Sequence, residues 1–472
     1  MKKKKYYLIG IAGVAMASLA GLLKKMGHDV AGSDKEIYPP MSDMLNDLKI
    51  KIYSPYNAFH VKQYKPDIVV IGNAIGRGNA ELEYVLSNGQ TYRSFPEVLR
   101  EEIIGMSDKR NVAKKAIVIT GTHGKTTTTA LTAWILEHAG LNPTVFVGGF
   151  TGNFNSSFKL NKGKYIVIEG DEYDTSFFDK GPKFWHYRPF IGLVNNIELD
   201  HVDIYKDLDA VKFSFSRFMN LIPNNGLLIV NREDKNTYDL SMEKRKSPVS
   251  TFGINGGDYY AKKINFSEKG TTFKLFNKGH FITDIETKLI GYHNISNILG
   301  AIVIAKFLKI PENKISGAIK SFNGVKRRCE IIGDKNGKIV INDYAHHPTA
   351  VAKTLDSIRL MFPVKRLFVV FEPGSASSKR KIFENEYIKA FRHADLAYIY
   401  RPFHVEQMNK RQVFSGTNVS RKLKKSGFVA KNFDSMDKML FHMKHDSKSG
   451  DVIIIMSCRG FDGLPKKILE IL

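Results

Sequence analysis

A short apolar run over residues 6–9 opens the chain. It is followed by the turn Gly10-Ile11-Ala12-Gly13 and then by apolar positions at helical spacing over 14–25. A brief unbroken apolar run bounded by glycine reads as a buried strand, and the spacing of three and four as a helix packed against it. A second strand is expected over 28–32, ending at the polar pair Ser33-Asp34, and another over 68–71 behind Pro66-Asp67. Strands alternating with helices predict a parallel sheet. The same grammar restarts twice. An apolar strand over 116–120 begins a second unit with further strands over 165–169 and 190–195. A third unit begins near Asn323, after a helix ending about Ser321, with strands over 338–343, 366–371 and 451–456. The Lys-, Arg- and Asn-rich stretch 107–115 reads as a linker. The expectation is an α/β protein of three domains, divided 1–108, 109–322 and 323–472.

Composition narrows the function classes. The 472 residues are 43% apolar and 25% charged, as in an ordinary soluble globular protein. Lys2 to Lys5 ahead of the apolar stretch 6–23 has the outline of a signal peptide, but Gly10 and Gly13 interrupt it, Lys24 and Lys25 follow it, and it lacks a cleavage site. A strand, turn and helix fit it better. No other stretch approaches the ~20 apolar residues of a membrane span, so a cytoplasmic enzyme with no membrane insertion is expected. Two cysteines, Cys329 and Cys458, are too few for a disulfide framework. The net charge of +24 suits polyanionic partners. The lysines are spread along the chain without a basic block, which fits solvated lysines. A nucleic-acid-dependent ATPase is the rival that the charge suggests, but the chain has no arginine-rich helix, stacking aromatic motif or helicase signature, and nucleic acid is not expected as a partner.

Five motifs carry candidate chemistry. The first, Thr120-Gly121-Thr122-His123-Gly124-Lys125-Thr126-Thr127, follows a buried strand and opens a helix. Backbone N–H groups at such a turn cradle phosphates, Lys125 reaches the terminal phosphates and Thr126 ligates Mg²⁺. Ile119 stands where the full Walker pattern has glycine, so the loop is a shorter variant. The second motif clusters Glu169, Asp171, Glu172 and Asp174 at a strand end, a place for Mg²⁺ or an acidic surface turn. The third ends in Glu198-Leu199-Asp200-His201, where His201 is a metal ligand or a surface histidine. In the fourth, Asn294 and Asn297 share a helix face and either read a nucleobase edge or serve capping. The fifth joins Lys326-Arg327-Arg328 to Asn342-Asp343-Tyr344-Ala345-His346-His347-Pro348. Arginine suits phosphate, Asp343 suits ribose, and the His pair suggests metal or acid–base work, although zinc would need more ligands at regular spacing than the sequence offers. At the N-terminus Ala12 replaces the second glycine of the dinucleotide pattern, and Asp34 is placed to hold a ribose. A dinucleotide-dependent oxidoreductase would explain that turn but not the phosphate loop.

In order and spacing these motifs resemble the Mur ligases along nearly the whole chain. The resemblance implies a UDP-binding Rossmann-like domain, a central P-loop ATPase domain and a C-terminal Rossmann-like domain that receives the amine. Three stretches are similar to the branch that attaches L-Ala-γ-D-Glu-meso-diaminopimelate to UDP-N-acetylmuramate in peptidoglycan recycling. They are residues 72–79, residues 169–175 with Phe177-Phe178-Asp179-Lys180, and His186-Tyr187-Arg188-Pro189. The sister branch attaches L-alanine, and usually has glycine where Ala345 stands. Residues 371–379 and 457–463, in the amine domain, depart from the recycling pattern.

The resemblance further implies ATP and Mg²⁺ as cofactors and an acyl phosphate as intermediate. It assigns Lys125, Glu169, His201 and His346 to catalysis, and Thr126, Glu169 and His201 to metal. Gly121, Thr122, His123, Gly124, Lys125, Thr126, Thr127, Asn294, Asn297, Arg328 and Asp343 are implied for ATP. Gly10, Ala12, Gly13, Asp34, Arg77, Asn79 and Glu172 are implied for the UDP-sugar substrate. A monomer or weak homodimer is expected.

Overall fold

A computed structural model describes residues 2–37, 40–105, 113–244, 246–406 and 408–472. Residues 107–112 of the expected linker, and with them the first expected domain boundary, lie outside the described residues. Three sheets account for the described strands.

The first sheet is wholly parallel, in the order Lys51–Tyr53, Asp29–Ser33, Lys5–Ile9, Ile68–Ile71, Tyr92–Ser94. The expected helix is Val14–Lys25, and the basic pair Lys24 and Lys25 ends it, where positive charge offsets the exposed carbonyls. The chain switches direction across the sheet between Lys5–Ile9 and Ile68–Ile71. Ligands of open α/β sheets bind in the crevice at such a point.

The second sheet has ten strands. Its centre is parallel: Leu227–Asn231, Pro189–Val194, Lys115–Thr120, Tyr165–Glu169 and Thr144–Thr151 lie side by side. Lys115–Thr120 is covered on both faces, which is why its sequence is an uninterrupted apolar run. One flank is an antiparallel meander of Tyr259–Ser267, Gly270–Asn277 and His280–Thr287. Here burial alternates: Thr271, Phe273 and Leu275 point inward while Thr272 faces solvent. The third sheet is parallel except for its edge strand Glu330–Lys335, and runs on through Lys338–Asp343, Val452–Met456, Leu367–Phe371, Leu396–Tyr400 and Val429–Phe433.

The sheets are fastened to one another by specific contacts. Helix Val14–Lys25 lies on the edge strand Ser156–Lys159 of the central sheet. Gly21 leaves room there for the Phe158 ring, which an added Cβ would overlap, and the Ser18 and Ser157 hydroxyls are 2.7 Å apart. On the other side Thr151 bridges Val325, and Gly152 N–H donates to the Gly324 carbonyl. No helix of the described residues is long and apolar enough to cross a membrane.

Candidate active site

The central strand Lys115–Thr120 delivers the phosphate loop, and its two neighbours end in Glu169 and at Asn195, so three strand ends surround one point. The loop is held from below. His123 N–H donates to Asn196 Oδ1 at 2.7 Å, and the Asn195 and Asn196 side-chain amides each donate to the His123 carbonyl at 3.2 Å. Gly124 has φ +83°, and a Cβ there would overlap Asn297 Oδ1 and lie 2.8 Å from Asn195 Nδ2. Only glycine meets both demands. Asn297 thus packs under the phosphate loop and donates to Asn294 Oδ1 at 3.2 Å, while Asn294 donates to the Ile290 carbonyl.

Two linked clusters sit above the loop. In one, Thr126 Oγ1 donates to Glu169 Oε1 at 2.8 Å, Gly148 N–H donates to Glu169 Oε2 at 2.7 Å, and Arg328 reaches across from the C-terminal domain to Thr126 Oγ1 at 3.3 Å. Burial, and next Asp171, push the Glu169 carboxyl above its ordinary range despite the nearby Lys125. Its negative charge is therefore under-compensated by protein groups. A buried oxygen pair short of positive charge fits a hard dication such as Mg²⁺. In the other cluster, Lys125 Nζ donates to Glu172 Oε2 at 2.7 Å and to the Gly121 carbonyl at 2.7 Å. Burial opposes its charge, but Glu172, Asp171 and Glu169 outweigh burial and raise its pKa. His201, at φ +50°, places Nε2 3.6 Å from Glu172 Oε1 and its ring 5.2 Å from that of Tyr173.

Other predicted residues are placed differently. Both oxygens of Asp343 are turned into the protein: Cys329 N–H and Ala345 N–H donate to them at 2.7 Å, and Thr354 Oγ1 at 3.2 Å. His346 Nδ1 is 3.0 Å from the Tyr344 carbonyl, and burial lowers its pKa to about 4. In the first domain Asp34 accepts from Ala12 N–H at 2.8 Å and from Tyr56 Oη at 2.9 Å, which ties the Gly10–Gly13 turn to the neighbouring strand end. Gly10 has φ +85°, and Gly13 precedes the helix as its N-cap. Arg77 makes a surface pair with Glu83, and Asn79 caps a helix by accepting from Glu81 and Leu82 N–H. Thr122 and Thr127 are buried, with the Thr122 hydroxyl accepting from Glu198 N–H at 2.9 Å.

The structure adds Lys183, which lies in none of the motifs, and gives partners to motif residues that had no assigned role. Lys183 is 3% exposed, with Nζ 3.5 Å from Asp171 Oδ2 and 3.8 Å from the centre of the Tyr173 ring. Burial lowers its pKa against the pull of Asp171, Glu172 and Glu169. Glu198 and Asp200 face the C-terminal domain, accepting from Thr349 Oγ1 at 2.7 Å and from Ser377 Oγ at 2.6 Å. His347, left without metal-spaced partners in the sequence, is brought against His123 and Glu198. The stretch 195–201 signalled a functional strand end, but not which of its side chains cross to another domain.

Known proteins align with this architecture. Residues 5–104 match the Mur ligase family catalytic domain, 119–305 the Mur ligase middle domain, and 327–459 the Mur ligase glutamate ligase domain. The chain is 33% identical to the UDP-N-acetylmuramate–L-alanyl-γ-D-glutamyl-meso-2,6-diaminoheptandioate ligase of Haemophilus influenzae, with 99% of each covered. It is 36% identical to the UDP-N-acetylmuramate–L-alanine ligase of Clostridium acetobutylicum, covering 96% of this chain and 94% of that one. The crystal structure of a murein peptide ligase from Psychrobacter arcticus superposes with a TM-score of 0.75 at 32% identity, covering 99% and 98%. Full-length identity of this order, with three family domains in sequence, has one consequence: the chain belongs to the Mur ligase family.

Proposed function

We propose that this chain is an ATP-dependent ligase that joins the carboxylate of UDP-N-acetylmuramate to the amino group of L-Ala-γ-D-Glu-meso-diaminopimelate, the tripeptide named for its Haemophilus influenzae relative. The observation that carries the reading is the meeting of the phosphate loop, the Thr126–Glu169 pair and Arg328 of the C-terminal domain at one point.

The obstacle to such a reaction is repulsion between a carboxylate and the ATP γ-phosphate. The loop N–H groups and Lys125 bind and orient the phosphates, and Arg328 brings positive charge from the opposite side. Thr126 and Glu169 would hold one Mg²⁺ and His201 a second, and the metal would supply charge neutralisation at the transferring phosphate. The carboxylate oxygen takes the γ-phosphoryl group and ADP leaves. The amine then attacks the acyl phosphate, and phosphate departs from the tetrahedral intermediate. Lys183, buried beside Asp171, and His201 border the space where the carboxylate has to lie. Asn294 and Asn297 support the loop from the adenine side. The crevice at Gly10, Ala12, Gly13 and Asp34 takes the uridine diphosphate, with Arg77 and Asn79 on its rim. His346 lies on the amine side. The expected domain boundaries, 1–108, 109–322 and 323–472, follow this division of labour.

The test is amine-dependent phosphate release with UDP-N-acetylmuramate, ATP and Mg²⁺, with product mass read in parallel. Ligation of the tripeptide and not of L-alanine is the expected result. The 36% identity to an L-alanine ligase favours one second reading, the same chemistry on L-alanine, and ligation of L-alanine alone would establish it. Turnover with neither amine would refute both.

A further inference from the structure

Beyond the Thr126–Glu169 oxygen pair, another group of side chains has metal-binding geometry. His123 stands on the phosphate loop, Glu198 in the segment after the strand Pro189–Val194, and His347 at the N-cap of helix Pro348–Met361 in the C-terminal domain. Each offers one ligand atom, and these atoms lie within 4.8 Å of one another. His123 Nε2 is 3.5 Å from Glu198 Oε2, and the centres of the two imidazole rings are 5.0 Å apart. Metal–ligand bonds of about 2.0–2.1 Å in a tetrahedral site place neighbouring donor atoms about 3.3–3.4 Å apart. The His123–Glu198 pair already has that span. The widest separation has to contract by at most about 1.5 Å, a side-chain movement.

Two observations set this trio apart from a chance encounter at a domain boundary. Nε2 of His123 and Nε2 of His347 are both buried and neither makes a well-formed hydrogen bond, the His123 contact to Glu198 Oε2 lying at 3.5 Å. An unsatisfied buried polar atom costs about 1–3 kcal/mol, so two facing the same carboxylate call for a ligand. The carboxylate is also held in place: Thr349 Oγ1 donates to Glu198 Oε2 at 2.7 Å, the kind of outer contact that orients a metal-binding group. Two imidazoles and a carboxylate suit Zn²⁺, Co²⁺ or Ni²⁺, whereas Mg²⁺ prefers oxygen alone.

We propose that His123, Glu198 and His347 form a transition-metal site that clamps the C-terminal domain to the phosphate loop. The ligands come from two domains, so the site is complete only while those domains are apposed, and its occupant holds them so. Turnover that needs the domains to part for product release is slowed by such an ion. One local contact opposes binding. Thr349 N–H lies 3.4 Å from His347 Nδ1, and a metal on Nε2 leaves the ring proton on Nδ1, displacing that contact. At this length the bond is weak, and its loss is small beside a three-ligand metal bond set. The competing arrangement has the His347 ring donating to the backbone of Leu199, which borders it, and it predicts no metal affinity.

Co²⁺ titration of the full-length protein, without nucleotide, tests this through the visible ligand-field bands, which are intense for four-coordinate and faint for octahedral cobalt. The expected result is one Co²⁺ per chain with intense bands. His347→Gln and Glu198→Gln should each weaken binding by about 100-fold or more, while Glu169→Gln leaves the bands intact. Circular dichroism confirms the fold of each variant, and either of the first two suffices if the other fails to fold. Faint or absent bands in the unmodified protein, or bands unchanged in a folded His347→Gln or Glu198→Gln variant, would overturn the proposal. No muramoyl substrate enters the experiment, so its outcome is independent of the ligase reading.

Discussion

Replacing Lys125 by methionine separates its observed role, holding the loop through Glu172 and the Gly121 and Thr122 carbonyls, from its proposed role in binding phosphate. Lys125 and Glu172 are 2.7 Å apart, with side chains 12% and 3% exposed. Removing one partner of a buried pair leaves an uncompensated charge and costs about 3–5 kcal/mol. Lys125→Met should therefore destabilise the central domain by about that amount in the absence of nucleotide. Glu172→Gln leaves Lys125 with the Gly121 and Thr122 carbonyls and should cost less, about 1–3 kcal/mol. The double variant has neither charge and should recover most of the loss, giving a coupling energy of about 2 kcal/mol or more. Urea unfolding of the four proteins measures the cycle, and ligation assays run beside it. Stability should return in the double variant while turnover does not. A Lys125→Met protein as stable as the parent would show that the pair contributes nothing. Near-normal turnover in that variant would remove Lys125 from the phosphate role.

Further expectations follow from the same contacts. Because burial raises the Glu169 carboxyl, its ionised form is disfavoured in the fold, and its contribution to stability falls as pH rises through and above the ordinary carboxylate range. Glu169→Gln should raise the thermal midpoint at pH ~8 more than at pH ~5 and abolish stabilisation by Mg²⁺ with ATP, both read by calorimetry. Burial lowers His293 to about 3, where its ring meets Ser357 of the C-terminal domain. Between about pH 6.5 and 3 the unfolded chain takes up a proton that the fold resists, so acid should destabilise the fold by on the order of 5 kcal/mol, and His293→Gln should flatten that slope in pH-dependent unfolding. Gly21→Leu drives a side chain into the Phe158 ring and should cost about 1–3 kcal/mol by thermal unfolding, with the loss confined to docking of the first domain. Lys183→Met removes one partner of the buried contact with Asp171 and should destabilise the fold less than Lys125→Met does, because burial already disfavours its charge, while raising KM for UDP-N-acetylmuramate. An unchanged KM would place Lys183 outside the carboxylate's reach.

What the sequence disclosed depended on how each element is buried. Lys115–Thr120, Tyr165–Glu169 and Pro189–Val194 are covered on both faces, so they appear as apolar runs ending in polar residues, and the phosphate loop and Glu169 were legible from that boundary. The meander from 259 to 287 was not expected, because its strands are half-buried and interleave Lys and Thr with apolar residues. Lys183 follows a Gly-Pro pair and reads locally as a surface turn; its burial is set by Asp171 and Tyr173 on another segment. Asp343 has the strand-end position of a ribose ligand, yet its oxygens go to Cys329 and Ala345, a use fixed by a loop that the motif does not contain. Periodicity reports which face of an element is covered, and says nothing of which partner covers it.

That distinction matters most in the short segment 195–201, whose side chains are divided among three neighbours. Asn195 and Asn196 hold the backbone of His123 in the phosphate loop. Glu198 and Asp200 accept from Thr349 and Ser377 of the C-terminal domain, and surrounding histidines with Ser377 hold the Asp200 carboxyl far below its ordinary range despite burial. His201 turns back to Glu172, which carries Lys125. Any displacement of the C-terminal domain therefore pulls on the same backbone that sets the loop and the lysine. Thr126 receives Arg328 from that domain as well, so the proposed phosphate site is complete only when the C-terminal domain is docked. If the C-terminal domain presents the amine, as proposed, a ligase built this way avoids spending its activated carboxylate on water, because the groups that assemble the loop also seat that domain.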